Sequence, residues 1–503
     1  MRQRGAWIGA VAGAAGLVCT LLAVSRGGHY LAVVHELQWF VPLATVGVAT
    51  ALAAGRLAAG RANAVVWLVA LVLLSVGWNF LIYACKLGRG VFGLLLPLVH
   101  PTGIDWRVGI FAAGKSFSLA GSGYPPFTLW IGKAFSAVSP TTGYAIQVCL
   151  LVGLAVGSAV LCGLLGRAWL WAARESDSGD SVDPIEGDRP GQPFAVWQLG
   201  LLGGLWLSTS YGFMFEMERG QLDLYALFFA LLAVWLLLAR PHGSPWWPSL
   251  ALALAVNIKA YPGVLVVALL WRYRWRAVVP LLMTNVALLL SAGPAKVLQF
   301  LTTRATLESS TFPRGWVNNS ALSLAHTLHE VSSWPGRLWV VFLAASAVLW
   351  IATLAIVIRR GWSERRVVLV SAACVPVMCT FPSISNDYRL VLLAFPLSVL
   401  AAATATVPRG GPLWALLFMA AGFEFFLLAR SSRLIAPSLQ GSKFALIVGL
   451  QVLLLVVGVL EGRVRDGSSS GEGPRSRAVR AGSETALPTR AQGSASRSRS
   501  ASP

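Results

Sequence analysis

Long apolar runs separated by short polar segments form the main pattern of this chain. A transmembrane helix needs about 20 mostly apolar residues, so each run of this kind predicts one membrane-spanning helix. The predicted spans are residues 6–24, 39–55, 64–84, 144–166, 197–214, 221–239, 276–293, 338–358, 366–382, 389–407, 412–429 and 443–460. The pattern therefore predicts an all-α polytopic membrane protein.

The composition supports a membrane location. Charged residues make up 12% of the 503 residues, against about 25% in a typical soluble protein. Hydrophobic residues make up 56%, and the mean hydropathy is +0.68. So few polar groups cannot cover the surface of a soluble protein. This excludes a soluble enzyme, a disordered protein and a nucleic-acid-binding module, despite the net charge of +20.

One further apolar stretch, residues 246–271, is interrupted near its middle by polar residues and a proline. Basic residues concentrate in the cytoplasmic loops of membrane proteins. A single crossing here would place the arginine-rich segment 272–276 outside. Two half-helices that enter and return keep it inside, together with both termini and the other arginine-bearing loops. We therefore predict a re-entrant hairpin with its apex at Asn257-Ile258-Lys259-Ala260-Tyr261-Pro262.

The alternative for 246–271 is an ordinary kinked span followed by one misplaced basic cluster. A second alternative concerns the N-terminus, where the first apolar run follows Met1-Arg2-Gln3-Arg4 and resembles a signal peptide. Its apolar core is longer than the about 7–15 residues of a typical signal. We therefore expect it to be a retained helix.

The pattern predicts three parts. Residues 1–60 form an extra N-terminal transmembrane hairpin, and residues 61–460 form the membrane body. Residues 461–503 are rich in Ser, Arg and Gly and nearly lack apolar residues. Such a segment cannot bury enough surface to fold, so we expect a disordered, basic cytoplasmic tail that touches anionic lipid headgroups.

Two of the predicted extracytoplasmic segments are long, residues 85–143 and 294–337. Long loops in compact proteins are usually functional or disordered. Because these two contain aromatic residues and apolar helical patches, we expect ordered structure lying on the membrane. Residues 174–193 predict a flexible cytoplasmic linker. The six cysteines form no CxxC pair and lie mostly in apolar stretches, so we expect them to be inert packing residues.

Charges are rare in this chain, and several collect on the predicted outer face. Asp105 is the only carboxylate between Glu36 and Glu175. A carboxylate at a membrane surface beside Trp106 is a candidate general base. A helix N-cap, or a partner for Arg107, explains the same residue equally well.

A second group opens the span that starts at residue 221. It contains four ionisable groups within eight residues, Glu216, Glu218, Arg219 and Asp223, together with Gln221. Acidic residues at a helix start suit the helix dipole, which is the structural alternative. The number of ionisable groups exceeds what capping needs, so we expect them to bind sugar hydroxyls or a phosphate.

Lys259 lies at the predicted hairpin apex. A lysine near the bilayer centre costs about 2.5–3.5 kcal/mol on insertion scales, so it usually has a function. A cation at this place suits a lipid phosphate. The alternative is that its long side chain reaches an interface.

Polar residues on later outer segments suit a hydroxyl-rich ligand: Asn319, His326, His329, Asp387 and Arg389. The two histidines are three residues apart, which is weak support for a metal site, and no HExxH or DxD motif is present. We expect no metal and no cofactor. The sequence also lacks Walker and GxGxxG motifs, so a nucleotide donor is not supported, and a transferase on the outer face would need a lipid-carried sugar.

In their order along the chain these residues resemble glycosyltransferase family 87. The resemblance is carried by Asp105, by Tyr124-Pro125-Pro126, by Gly220-Gln221 opening a helix, and by Lys259-Ala260-Tyr261-Pro262 before a basic cluster; Asn319-Ser320 and Tyr388 continue it. It extends over residues 64–430. The single motifs are short, and their ordered set is moderately specific.

The resemblance implies a GT-C-type membrane fold and an enzyme. The family transfers mannose from polyprenyl-phosphate mannose, and related members use polyprenyl-phosphate arabinose. Asp105 would be the general base of an inverting transfer to a lipid or polysaccharide acceptor outside the plasma membrane. Arg107, Arg219 or Lys259 would hold the leaving phosphate. Further residues would contact the donor: Tyr124, Glu218, Gln221, Asp223, Tyr261, Asn319, His326, His329, Asp387 and Arg389.

Two features depart from the family pattern. Two extra spans precede the segment with Asp105, and Val108-Gly109-Ile110 stands where an aromatic residue is often found. Both departures bear on the sugar and the acceptor more than on the reaction class. A transporter or flippase of lipid-linked sugars, and a membrane scaffold without enzyme activity, are the rival functions.

Overall fold

In a computed structural model, the described residues are 105–119, 123–177, 211–239, 243–310, 320–332, 335, 337–382, 387–406, 444 and 447–461. All regular secondary structure in these ranges is helical. The predicted N-terminal hairpin, the spans 64–84 and 412–429, and most of the predicted tail lie outside the described residues.

The α-helices follow one another along the chain with short 3₁₀ and π-helical segments between some of them. They are α1 (Ala113–Ser116), α2 (Thr128–Phe135), α3 (Pro140–Asp177), α4 (Tyr211–Arg219), α5 (Asp223–Ala239), α6 (Trp246–Ile258), α7 (Val266–Tyr273), α8 (Val278–Leu290), α9 (Pro294–Ser310), α10 (Ala321–Ser332), α11 (Leu338–Arg359), α12 (Glu364–Thr380), α13 (Ala394–Thr406) and α14 (Ile447–Glu461). The π-helical segment is Trp106–Ala112, and the 3₁₀ segments are Tyr261–Leu265, Arg274–Ala277 and Asp387–Leu393.

Two helices in the described part of the chain are long and apolar enough to cross a membrane, Pro140–Trp169 within α3 and Leu338–Arg359. Both lie where the hydropathy pattern predicts spans. Large apolar side chains are exposed along α8 and α11, including Leu282, Met283 and Ile351. Water does not tolerate such a surface, whereas lipid does. The protein is therefore a helical membrane protein.

Three element boundaries differ from the sequence prediction. Helix α3 continues to Asp177, into the predicted linker. The span predicted at 389–407 begins as a 3₁₀ segment and becomes α-helical only at Ala394. The span predicted at 276–293 is preceded by a break at Arg274, whose φ of 53° interrupts the helix. Apolar windows report burial, and they carry no information on such local backbone geometry.

The chain reverses direction after α6. Lys259, in an extended conformation, ends that helix, and its side chain reaches Asp223 at the start of α5. Leu265, only six residues later, lines the same apolar cavity as Leu231 and Val234 in the middle of α5. The segment after Lys259 therefore runs back alongside α5. Its end meets Trp362, between α11 and α12, where the Arg272 guanidinium lies 4.2 Å from the indole ring centroid.

The start of helix α9, Pro294–Arg304, is bent by 88° from the helical stretch Tyr261–Leu290, and α9 packs against the segment that carries Asp105. Gln299 on α9 donates from Nε2 to Ser118 Oγ at 3.1 Å and accepts from the backbone N–H of Leu119 at 3.2 Å. Phe300 packs against the small core around Leu119 and Leu129. The first part of the predicted outer segment 294–337 is thus an ordered helix that supports the neighbouring outer segment.

A tight helical hairpin fixes the position of Asp105. Gly132 in α2 contacts the preceding segment so closely that an added Cβ would lie 2.2 Å from the carbonyl oxygen of Ile110. Next to Asp105, Trp106 is fully buried, and its ring packs against Phe135 and Tyr144 at centroid distances of 5.8 and 5.6 Å. The buried indole therefore anchors the residue that follows Asp105 against α2 and α3.

Candidate active site

A carboxylate and a guanidinium from distant parts of the chain form an ion pair. Asp105 lies directly before the π-helical segment, and Arg219 is the last residue of α4. Arg219 Nε donates to Asp105 Oδ2 at 2.8 Å, and Nη2 donates to Oδ1 at 2.5 Å. The Asp105 side chain is 23% exposed and that of Arg219 28%, so a ligand can reach this pair.

Gln221 joins this ion pair to a second group of polar side chains. Its Nε2 donates to Asp105 Oδ2, and its Oε1 accepts from the hydroxyl of Tyr124. The same Oε1 accepts from Lys259 Nζ at 3.1 Å. The lysine ammonium also lies 4.5 Å from the centroid of the Tyr124 ring, a distance at which a cation–π contact is favourable.

The second group surrounds the fully buried Asp223. Lys259 Nζ lies 3.0 Å from Asp223 Oδ2, and the Tyr261 hydroxyl donates to Oδ1 at 2.7 Å. Arg389 Nε lies 3.7 Å from Oδ1, and its guanidinium lies 4.8 Å from the Tyr261 ring centroid. The start of α5, the turn after α6 and the 3₁₀ segment before α13 therefore meet at one carboxylate.

This second group has a spare positive charge and spare hydrogen-bond donors. Two cations, Lys259 and Arg389, face the single carboxylate of Asp223. Arg389 is 7% exposed, and its Nε and Nη1 have no hydrogen-bond partner in the described part of the chain. A buried donor left unsatisfied costs about 1–3 kcal/mol, and more if it is charged. An anion bound at Arg389 and Lys259 would remove that cost.

Glu216 on α4 is a second fully buried acid close to Asp223. Its Oε1 accepts from the backbone N–H of Leu224 at 2.5 Å, while Oε2 has no hydrogen-bond partner among the described residues. Burial raises the pKa of the Glu216 carboxyl well above its ordinary value, and the charge of Asp223 raises it further.

The turn between α4 and α5 positions Arg219, Gln221 and Asp223. Its centre is Gly220, with a φ of +67°, a conformation that favours glycine. An added Cβ at Gly220 would lie 2.4 Å from Trp106 Cβ. The local sequence thus folds this way because only glycine allows both the backbone conformation and the close approach to Trp106.

Helix α3 holds the same turn from its other side. The hydroxyl of Tyr144 donates to the carbonyl oxygen of Met217 at 2.6 Å, and Gln147 Nε2 donates to that of Gln221 at 3.2 Å. Tyr144 and Gln147 thus belong to the site although the sequence did not single them out as binding residues. Glu216 was predicted only as one member of the charged group before α5. The two α3 residues gave no such indication.

Other predicted residues lie elsewhere or outside the description. Arg107 is exposed on the π-helical segment. His326 is half-buried and His329 exposed on α10, which packs mainly against α11 and Phe444. The structure therefore does not gather these three residues around Asp223.

Three more predicted residues cannot be placed in the site. Glu218 lies in α4 and Asp387 begins a 3₁₀ segment, but their side chains lie outside the described part of the structure. Asn319 lies outside the described residues. Within the described ranges, no three His, Cys, Asp or Glu side chains are grouped so that they could hold a metal ion.

The arrangement combines a reachable carboxylate with a buried cationic pocket. A carboxylate can accept a proton, and buried cations can stabilise charge on a leaving group. The two functions lie side by side because Gln221 contacts both Asp105 and Lys259. These are the requirements of a group transfer in which a hydroxyl attacks and an anion departs.

The model of glycosyltransferase family 87 matches residues 123–382. This range is just over half of the chain and contains most of the site. The chain belongs to glycosyltransferase family 87. It is therefore a glycosyltransferase, acting with a sugar donor and an acceptor. No curated protein and no solved structure matches the chain.

The matched range of this family 87 glycosyltransferase is narrower than the resemblance in the sequence. It includes Tyr124, Gln221 and Lys259 but begins after Asp105 and ends before Arg389. Asp105 and Arg389 therefore join the site through contacts, with Arg219 and Gln221 for the first and with Asp223 for the second.

Proposed function

We propose that the protein transfers a sugar from a polyprenyl-phosphate carrier to a lipid or polysaccharide acceptor. The observation that carries the proposal is the buried pair Lys259 and Arg389 around one carboxylate, with two Arg389 nitrogens unpartnered in the described structure. A phosphodiester carries one negative charge and matches the single spare positive charge. A diphosphate carries more charge than this pocket compensates.

The transfer would proceed by direct displacement. Asp105 takes the proton from an acceptor hydroxyl, whose oxygen forms a bond to the anomeric carbon of the sugar. The bond from that carbon to the phosphate oxygen breaks, and its electron pair leaves with the polyprenyl phosphate. Lys259 and Arg389 stabilise the charge that develops on this phosphate. One displacement inverts the configuration at the anomeric carbon.

Mannose is the proposed sugar, on the resemblance to family 87 alone, and arabinose is the alternative that the resemblance also offers. The isoprenoid carrier is likewise proposed on that resemblance. The side chains next to the cations are apolar: Pro262 and Leu392, each three residues from a cation of the pocket, line a small buried cavity with Leu227 and Leu231 of α5.

The proposed function can be tested with a panel of donors. Purified protein in lipid vesicles is incubated with an extract that contains the acceptor. The donor is radiolabelled mannose linked to polyprenyl phosphate, to polyprenyl diphosphate or to guanosine diphosphate. We expect labelled product from the polyprenyl-phosphate donor only. Product from a diphosphate donor instead would contradict the proposal, and polyprenyl-phosphate arabinose in a parallel reaction decides between the two sugars.

We place the site on the extracytoplasmic face, with segment 246–273 as a re-entrant hairpin inside a plasma-membrane protein. The reversal at Lys259 supports this, because the arginine-rich turn after α7 then lies on the cytoplasmic side with the loop between α11 and α12. A Cys at position 276, introduced by Arg276→Cys in a variant without native cysteines, tests it. A membrane-impermeant maleimide is expected to label it only after the cells are opened; labelling of intact cells would refute this topology.

A further inference from the structure

Gln221 touches both the proposed base and the proposed phosphate-binding cation. We propose that Gln221 is a positioning residue of the transfer reaction, which keeps Asp105 oriented and at a fixed separation from Lys259. This inference rests on the proposed function. The sequence suggested that Gln221 binds the donor, and the inference assigns it a different role.

The orientation of the Gln221 amide is dictated by its neighbours. Lys259 has only donors, so it must face the amide oxygen, and an ionised Asp105 has only acceptors, so it must face the amide nitrogen. The Tyr124 hydroxyl donates to the same oxygen. A side chain with one acceptor end and one donor end is therefore required to join the two charged groups.

The backbone of Gln221 is held as firmly as its side chain. Its N–H donates to the carbonyl oxygen of Glu216 at 3.1 Å, and its carbonyl oxygen accepts from Gln147 Nε2 at 3.2 Å. Gln147 is itself fixed, because its Oε1 accepts from the Tyr225 hydroxyl at 2.8 Å. Gln221 is 4% exposed. These contacts suit a rigid spacer better than a residue that adjusts to a sugar.

The contacts also determine which oxygen of Asp105 can act. Oδ2 accepts from both Arg219 and Gln221, whereas Oδ1 accepts from Arg219 alone among the described residues. A carboxylate oxygen can accept two hydrogen bonds. Oδ1 is therefore the atom with room for an acceptor hydroxyl, and Gln221 selects it by occupying Oδ2.

Several charged groups surround this contact and enter any pH dependence. Arg219 reaches it from α4, Lys259 from the turn after α6, and Asp223 from the start of α5. The Tyr124 hydroxyl donates to the amide oxygen of Gln221, and the buried Glu216 interacts electrostatically with Asp223 and Lys259.

The isosteric variant Gln221→Glu tests the inference. It places a carboxyl group against Asp105 Oδ2, and two carboxyl groups in contact retain a shared proton to higher pH. We expect the acidic limb of the kcat/KM profile for polyprenyl-phosphate mannose to move upward by about one pH unit or more. The donor KM of this variant is not the readout, because the added carboxylate also lies against Lys259 and compensates part of the positive charge that would bind the phosphate.

A second variant keeps the inference testable if Gln221→Glu fails to fold. Gln221→Leu removes the three side-chain hydrogen bonds of Gln221 and is expected to lower kcat by about tenfold or more, a part of what a positioned base contributes, with the donor KM little changed. Gln299→Glu on α9 is the matched control, because that glutamine bonds to Ser118 and lies outside the site. Its pH profile should coincide with that of the wild type, as should the elution volumes of all variants.

The possible results distinguish a failure of the positioning role from a failure of the proposed function. A shifted acidic limb in Gln221→Glu with an unshifted Gln299→Glu supports the positioning role. A Gln221→Glu profile that coincides with the wild type overturns it, and so does a raised donor KM at unchanged kcat in Gln221→Leu, which assigns Gln221 to donor binding. If the wild type transfers sugar from no polyprenyl-phosphate donor, the proposed function fails and the inference fails with it.

Discussion

Replacing Asp105 with asparagine is expected to lower sugar transfer by about 10²–10⁴-fold, the contribution of a positioned general base. Asparagine has the same size and can still accept a hydrogen bond from Arg219, but it cannot take a proton from the acceptor hydroxyl. The phosphate pocket around Lys259 and Arg389 is not altered. We therefore expect kcat to fall while binding of polyprenyl phosphate is retained, measured by transfer assays and by binding to the purified variant.

The Asp105 experiment needs a control for the loss of a carboxylate as such. Glu364→Gln removes an acid from the first turn of α12, away from the site, and should transfer at the wild-type rate. Retention of more than half of the activity by Asp105→Asn would show that the base is another group. If Asp105→Asn abolishes movement of lipid-linked sugar across the membrane, and neither the wild type nor any variant transfers sugar, the result would favour a flippase.

The second large effect is expected for Gly220→Ala. A residue other than glycine costs roughly 1–2 kcal/mol in a left-handed conformation, and here the new methyl group would also lie 2.4 Å from Trp106 Cβ. The turn must move, and it carries Arg219 on one side and Gln221 on the other. Because a misplacement of about 1 Å can cost 10²-fold in rate, we expect a loss of that order in kcat together with a lower Tm.

Gly361→Ala separates the two causes of the Gly220 effect. Gly361 has a similar φ of 82°, but nothing lies within 4 Å of an added Cβ. This variant has the backbone strain without the steric clash, so we expect a small decrease in Tm and unchanged kcat. Equal behaviour of the two alanine variants would mean that contact between the turn and Trp106 does not position the site.

Much of the membrane body follows from the sequence because burial in lipid leaves a strong pattern. The spans predicted at 338–358 and 366–382 coincide closely with α11 and α12. The direction change near Lys259 agrees with the polar interruption of the apolar stretch 246–271, for which the sequence also allowed an ordinary kinked span. Hydropathy reports the free energy of transferring each segment from water to lipid. This free energy is the largest contribution to the formation of a transmembrane helix.

The sequence alone could not predict which side chains from distant parts of the chain pair with each other. Asp105 and Arg219 are 114 positions apart, and no local pattern indicates that a hydrogen-bonded pair will form. Sequence reasoning treated Asp105 as a candidate general base and Arg219 as a candidate phosphate ligand, but they bind each other. Glu216 was predicted as one member of a charged group, and nothing in the sequence indicated that it is fully buried.

The central claim is that Lys259 and Arg389 hold the phosphate of a lipid carrier. The most direct test is photo-crosslinking with a polyprenyl phosphate that carries a diazirine on its first isoprene unit, followed by mass spectrometry of the labelled peptides. We predict labelling within 259–265 and 387–395 that excess polyprenyl phosphate abolishes and that Arg389→Gln weakens. Labelling confined to the exposed face of α11, or labelling that excess polyprenyl phosphate leaves unchanged, would contradict the claim.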